Sequence, residues 1–120
     1  MKRIFISLPI TGHEDTYESR LKRAVKTAER FAIRECYNIG DCGGFEIVTP
    51  KDVAYSVDDR IKSPKYTDYL LACLETITSC DIVFACHGYH ESRGCNIEVF
   101  FALNMGIKVE YEDIVENYTL

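Results

Sequence analysis

Three features of the chain predict an α/β domain built on an open parallel sheet. Short apolar runs rich in β-formers alternate with amphipathic stretches at helical spacing, and Gly- or Pro-containing breaks separate the two. Residues 3–7 are the first such run, and Leu8-Pro9-Ile10-Thr11-Gly12 stops it, because proline and glycine punctuate a strand. From about Asp15 to Glu35, Tyr17, Leu21, Ala24, Val25, Ala28, Phe31 and Ala32 recur at helical spacing, the clearest helix in the chain. Asn38, Gly40, Gly43 and Gly44 then break it, and Phe45-Glu46-Ile47-Val48-Thr49 reads as a second strand ended by Pro50. Residues 51–64 contain Asp58, Asp59, Ser63 and Pro64, hold no firm period and read as a long excursion with room for some helix.

Tyr66, Tyr69, Leu70, Cys73, Leu74 and Ile77 share a face and predict a helix over residues 65–79. A third strand spans 82–86. A polar turn leads from it to a helix over 95–104 that ends at Gly106, and residues 107–111 supply a fourth strand. The expected architecture is one Rossmann- or flavodoxin-like domain over residues 1–111, with four or five parallel strands, helices on both faces and right-handed crossovers. Residues 112–120 are a short helix or a tail. In such a sheet the turns after strands one and three open on the same edge, so residues 7–12 and 88–98 can face one pocket.

The chain has 120 residues and 47% hydrophobic content, enough for a single core without staples. No apolar run approaches the roughly 20 residues of a membrane span, and the opening residues read as a strand rather than a signal peptide, so a cytoplasmic protein without a membrane partner is expected. A net charge of −5 argues against a nucleic-acid polymer as partner. The basic cluster Arg20, Lys22, Arg23, Lys26 and Arg30 is interleaved with Glu18 and Glu29, as on a solvated helix face. The six cysteines form no CxxC pair, and Cys73, Cys80 and Cys86 fall in apolar patterns. His87 and His90 have only Cys86 and Cys95 as possible companions, so no metal is expected.

The segment Gly88-Tyr89-His90-Glu91-Ser92-Arg93-Gly94-Cys95-Asn96-Ile97-Glu98 carries the chemistry. Gly88 and Gly94 permit a sharp turn or a close ligand approach, free N–H groups at a helix start favour an anion, and Arg93 offers a forked clamp or an ion pair with Glu91. Tyr89 either packs at the pocket edge or stacks on a base. Glu98 is either a carboxylate complementing the helix dipole or a reactive group facing another part of the ligand. Asp81 reads as a structural turn residue. Ser7 and Thr11 either cap their own turn or touch ligand, and Gly12 answers a backbone requirement.

Two motifs in order make the chain similar to the nucleoside 2-deoxyribosyltransferase-like superfamily, in its small bacterial and phage branch of unassigned function. The first is Ser7-Leu8-Pro9-Ile10-Thr11-Gly12, against a Ser-Gly-Pro-Ile-Thr-Gly-like turn. The second is Gly88 to Glu98, against Gly-Trp-x-x-Ser-Arg-Gly-x-x-x-Glu, with Thr49-Pro50 and Cys80-Asp81 at intermediate matches. The resemblance implies that Glu98 attacks the anomeric carbon of a nucleoside, and that a base or water then captures the sugar. It implies substrate contacts from Ser7, Pro9, Ile10, Thr11, Gly12, Gly88, Tyr89, Ser92, Arg93 and Gly94.

The chain departs from the superfamily twice. Leu8 replaces a glycine, and Cys73 stands where the enzymes carry an aspartate that protonates or orients the base. Asp68 could replace that aspartate only if the helix were shifted. The expected function is therefore an N-glycosidase or deoxyribosyltransferase acting on a nucleoside or nucleoside monophosphate, without metal or cofactor. The alternative is a module that binds or sequesters a nucleotide without chemistry, as Cys73 favours. A homo-oligomer is implied by the relatives, with Tyr55, Tyr66, Tyr69 and Tyr118 as candidate contacts.

Overall fold

Strand β1 (Lys2–Ser7) is buried from Ile4 onward on both faces, and its side chains alternate between two cores. Ile4, Ile6 and Leu8 point into one core, and Phe5 points into the other. In the computed structural model, which describes residues 1–10, 14–39 and 44–118, β1 lies at the centre of a four-stranded parallel sheet of order β2-β1-β3-β4. The other strands are β2 (Phe45–Val48), β3 (Ile82–Ala85) and β4 (Lys108–Tyr111). Register pairs Phe5 with Val48 on one side and Ser7 with Ala85 on the other. Chain direction across the sheet reverses between β1 and β3, so a crevice opens there at the C-terminal strand ends.

The described residues form five α-helices: α1 (Tyr17–Ile39), α2 (Pro50–Arg60), α3 (Tyr66–Thr78), α4 (Arg93–Asn104) and α5 (Glu112–Tyr118). Helix α1 presents Ala24, Ala28, Phe31 and Ala32 to Ile4, Ile6, Ile82 and Phe84, and Val115 of α5 joins them. The opposite core joins Val53 and Val57 of α2, Cys73 and Ile77 of α3, and Ala102 of α4 to Phe5, Val48 and Val83. The architecture is the expected Rossmann-like one, with four strands. No helix among the described residues is long and apolar enough to cross a membrane.

Two segments take a more definite form than the sequence reading offered. The excursion over 51–64 begins with a full helix, α2. Thr49 Oγ1 accepts from the Asp52 amide at 3.2 Å and Asp52 Oδ2 accepts from the Thr49 amide at 3.0 Å, a reciprocal cap, with Pro50 in the first helical position. Pro50 thus ends β2 and also starts α2, while Val53 and Val57, four residues apart, bury the helix. Residues 112–118 form α5, anchored where Glu112 Oε1 accepts from the His87 amide at 2.8 Å. Asp81 is structural, its Oδ2 accepting from the Arg3 amide at 2.8 Å.

Thr49→Ala removes one half of the α2 cap. It is expected to lower stability by about 1 kcal/mol, seen as a lower urea midpoint with an unchanged slope.

Candidate active site

The alternation of β1 decides which way Ser7 faces. It lies two residues beyond Phe5, so it projects to the side covered by α3 and α4, and it is wholly buried. Helix α4 buries Cys95, Glu98, Val99 and Ala102, a stripe at helical spacing in which one member is a carboxylate. Ser7 Oγ donates to Glu98 Oε1 at 2.7 Å, joining residues 91 positions apart. Cys73, buried on α3, lines the same pocket as Glu98.

The entrance to α4 is held by backbone and capping contacts. Gly88 has φ 81°, a left-handed conformation that glycine adopts without strain, and a single 3-10 turn over Tyr89–Glu91 follows. Arg20 Nη2 donates to the His87 carbonyl at 2.7 Å beneath this turn. Ser92 caps α4, its Oγ accepting from the Cys95 amide at 3.3 Å, and Asn96 Nδ2 donates back to the His90 carbonyl at 2.8 Å.

Between α3, α4 and the end of β1 lies a pocket of about 380 Å³. Leu8, Ile10, Pro50, Tyr66, Tyr69, Leu70 and Cys73 line one part, and Glu91, Ser92, Arg93, Gly94, Cys95 and Glu98 line the other. The first wall is apolar and aromatic, and the second contains all the formal charge. A volume of this size suits a small organic ligand. At Gly94 a Cβ would stand 3.0 Å from Tyr66 Oη, so glycine here lets the tyrosine lie against the start of α4.

The lining therefore includes the expected Ile10, Ser92, Arg93, Gly94 and Glu98, while Ser7 stands behind Glu98. Pro9 is buried but does not line the pocket. Gly88 and Tyr89 shape the turn outside the lining, where the Tyr89 ring meets His90 edge-on at 5.6 Å and Tyr111 at 5.5 Å. Thr11 and Gly12 lie outside the described residues. Asp68 Oδ2 accepts from the Lys65 amide at 2.7 Å and caps α3, so it is not the missing pocket acid. Tyr66, Tyr69, Leu70 and Cys73 share the helix face that their spacing predicts, and that face borders the pocket. No group of three or more His, Cys, Asp or Glu among the described residues gathers closely enough to hold a metal ion.

Glu98 is 7% exposed, and burial drives its carboxyl up to about 7, opposed by the hydrogen bond from Ser7. Near neutral pH the group is thus divided between acid and carboxylate, a condition suited to a reacting group. Burial likewise raises the Cys73 thiol, helped by the negative charge of Glu98, and raises Cys95 to about 11. Both thiols stay protonated at neutral pH. On the far side of the sheet edge, the Tyr17 hydroxyl and Arg20 Nη1 are buried without a hydrogen-bond partner.

A folded-state carboxyl titrating above its ordinary 4.5 means that the native state holds its proton longer than the unfolded chain. Stability from this group is full below pH 4.5 and is lost as pH rises to about 7. Glu98→Gln removes the buried charge, so the variant is expected to exceed wild type by roughly 3 kcal/mol at pH 8. The gap should close as pH falls toward 4.5, and paired thermal unfolding across this range checks it.

Comparison with known proteins adds a family. No curated protein and no solved structure matches the chain significantly. A sequence model of a domain of unknown function, DUF4406, matches residues 2–111, which takes in all four strands, α1 to α4 and the whole pocket lining. The chain belongs to the DUF4406 family.

Proposed function

We propose that this domain cleaves or exchanges the N-glycosidic bond of a nucleoside or nucleoside monophosphate, with Glu98 as the nucleophile. The observation that carries this reading is a single buried carboxylate lining the pocket, with Oε1 tethered to Ser7 and titration near neutrality. The similarity of Ser7–Gly12 and Gly88–Glu98 to the nucleoside 2-deoxyribosyltransferase-like superfamily supports the same chemistry.

In the proposed reaction the ionised Glu98 bonds to the anomeric carbon as the C–N bond breaks, and the base departs with the bonding pair and gains a proton. The resulting glycosyl ester is opened by water or by a second base, which regenerates the carboxylate. Tyr66 and Tyr69 offer faces for the base. Ser92, Arg93 and the α4 N-terminus suit sugar hydroxyls or a phosphate, since backbone N–H groups and a guanidinium both favour anions.

A second reading, nucleotide binding without chemistry, is favoured by one observation: a high-titrating thiol, Cys73, occupies the position where the superfamily carries an acid. Intact ligand recovered after long incubation with wild type, together with ligand-induced thermal stabilisation, would support it.

Incubation with a panel of nucleosides and nucleoside monophosphates, followed by chromatography of free base, tests the first reading. Wild type is expected to release base, and Glu98→Gln to lose at least about a thousandfold in kcat while still binding ligand. Equal turnover by both would refute it. Because the ionised form attacks, kcat/KM should climb with pH through about 7 and then level. Arg93→Gln should raise KM roughly tenfold for monophosphates and much less for the corresponding nucleosides, as loss of one charge-assisted contact predicts.

A further inference from the structure

We propose that Tyr17 and Arg20, on the first turn of α1, form a second binding site at the C-terminal edge of the sheet. It takes a phosphate-type oxyanion between a phenol hydroxyl and a guanidinium. Neither residue belongs to the pocket lining, and the site stands whether or not Glu98 reacts. Its starting point is two buried donors with nothing to donate to: Tyr17 Oη and Arg20 Nη1 have no hydrogen-bond partner. An unpaired buried donor is costly, a charged one more so, and two on one helix turn call for a group that completes them.

The other basic residues clustered on α1 form the solvated face that their spacing predicts: Lys22, Arg23, Lys26 and Arg30 are exposed, and Arg23 pairs with Glu116. Arg20 turns the other way. Its Nη2 donates to the His87 carbonyl at 2.7 Å, and a Cβ on Gly88 would stand 3.4 Å from the same nitrogen. The guanidinium is thereby pinned between α1 and the turn after β3, at the sheet edge where the strand order reverses beside β1. With Nη2 occupied, Nη1 is left to bind something else. Tyr17 lies three positions earlier on the same helix face and packs against the core that holds Ile4, Ile6 and Leu8. Both residues keep part of their surface exposed, so the site is not sealed from solvent.

The donors select the ligand. Burial, then the charges of Glu18 and Asp52, push the Tyr17 hydroxyl up to about 12, so at neutral pH it keeps a proton to donate. The guanidinium is permanently charged and can only donate. Glu18 and Asp52 are engaged elsewhere, with Lys51 at 2.9 Å and in the α2 cap. Among the described residues no carboxylate pairs with Arg20. A water molecule would satisfy either donor but leave the cation unpaired, whereas a phosphate has oxygens for both and the opposite charge. Inorganic phosphate and the phosphate of a nucleotide share that chemistry.

The test follows the Arg20 Nη resonances by 15N NMR in phosphate-free buffer at constant ionic strength. Inorganic phosphate is expected to shift them saturably, and a nucleoside to leave them in place. A nucleoside monophosphate acting at lower concentration than inorganic phosphate would make the nucleotide the source; one acting no more readily would make it free phosphate. Tyr17→Phe, which keeps the bond from Arg20 to His87, should weaken inorganic phosphate about fivefold, as loss of one hydrogen bond predicts. Without phosphate this variant should be at least as stable as wild type in urea, because it is freed of an unpaired hydroxyl, and saturating phosphate should raise the wild-type midpoint more than its own. Arg93→Gln should leave the response of Arg20 to inorganic phosphate unchanged; loss of that response would assign the anion to the pocket and overturn the proposal. Arg20 resonances unmoved by either phosphate probe, or Tyr17→Phe binding phosphate as tightly as wild type, would overturn it too. So would a Tyr17→Phe protein less stable than wild type in phosphate-free buffer, since its hydroxyl would then already be satisfied by water.

Discussion

Strand β1 is paired on both edges and covered on both faces, and the rest of the molecule is arranged around that constraint. A strand so enclosed must send successive side chains into different cores. Ile4, Ile6 and Leu8 therefore belong to the α1 and α5 side, while Phe5 and Ser7 belong to the side of α2, α3 and α4. The same rule that packs Phe5 delivers a hydroxyl to Glu98 at the strand end. Because the sheet order reverses beside β1, the final residue of this strand also lies at the edge where a crevice must form. Core construction and site construction are thus one geometric event.

The buried carboxylate costs stability wherever it is ionised. Glu98 occupies the core-facing stripe of α4, where an aliphatic residue would pack without electrostatic penalty. Its ionisation is opposed by burial and assisted by the Ser7 hydroxyl, which leaves it poised near neutrality. A charge buried without an ion pair among the described residues costs folding stability, as the pH dependence of Glu98 expresses. The pocket complements this poise. One wall is apolar and aromatic, while the other combines a capped helix N-terminus, a guanidinium and the carboxylate. The proposed substrates, with a flat base and a polar sugar or phosphate end, match that division.

Much of this fold was legible because the relevant signals are local. Alternation of short β-runs with helical periods identifies a parallel α/β sheet, and the stripe at Ala24, Ala28, Phe31 and Ala32 identifies α1. Helix α2 was also written locally, in Thr49, Pro50 and Asp52, although Pro50 reads equally well as the end of a strand. On α4, a glutamate within the stripe Cys95, Glu98, Val99 and Ala102 was the sign of a buried charge, visible in spacing alone. Tyr66, Tyr69, Leu70 and Cys73 announced a shared face, while their neighbour remained undetermined.

By itself, the sequence determined the α/β class, most helix and strand positions, the glycine turn before α4 and the candidate carboxylate, since each depends on residues within a few positions of one another. Tertiary structure decided which groups meet. Ser7 and Glu98 lie 91 positions apart, and only the β1–β3 register and the packing of α4 bring them to 2.7 Å. Asp68 was diverted to the α3 cap, Cys73 was brought into the pocket lining, and Gly88 and Tyr89 were placed outside it. The titration of Glu98 was likewise set in three dimensions, because burial depends on everything that packs around a side chain and not on its neighbours in the chain.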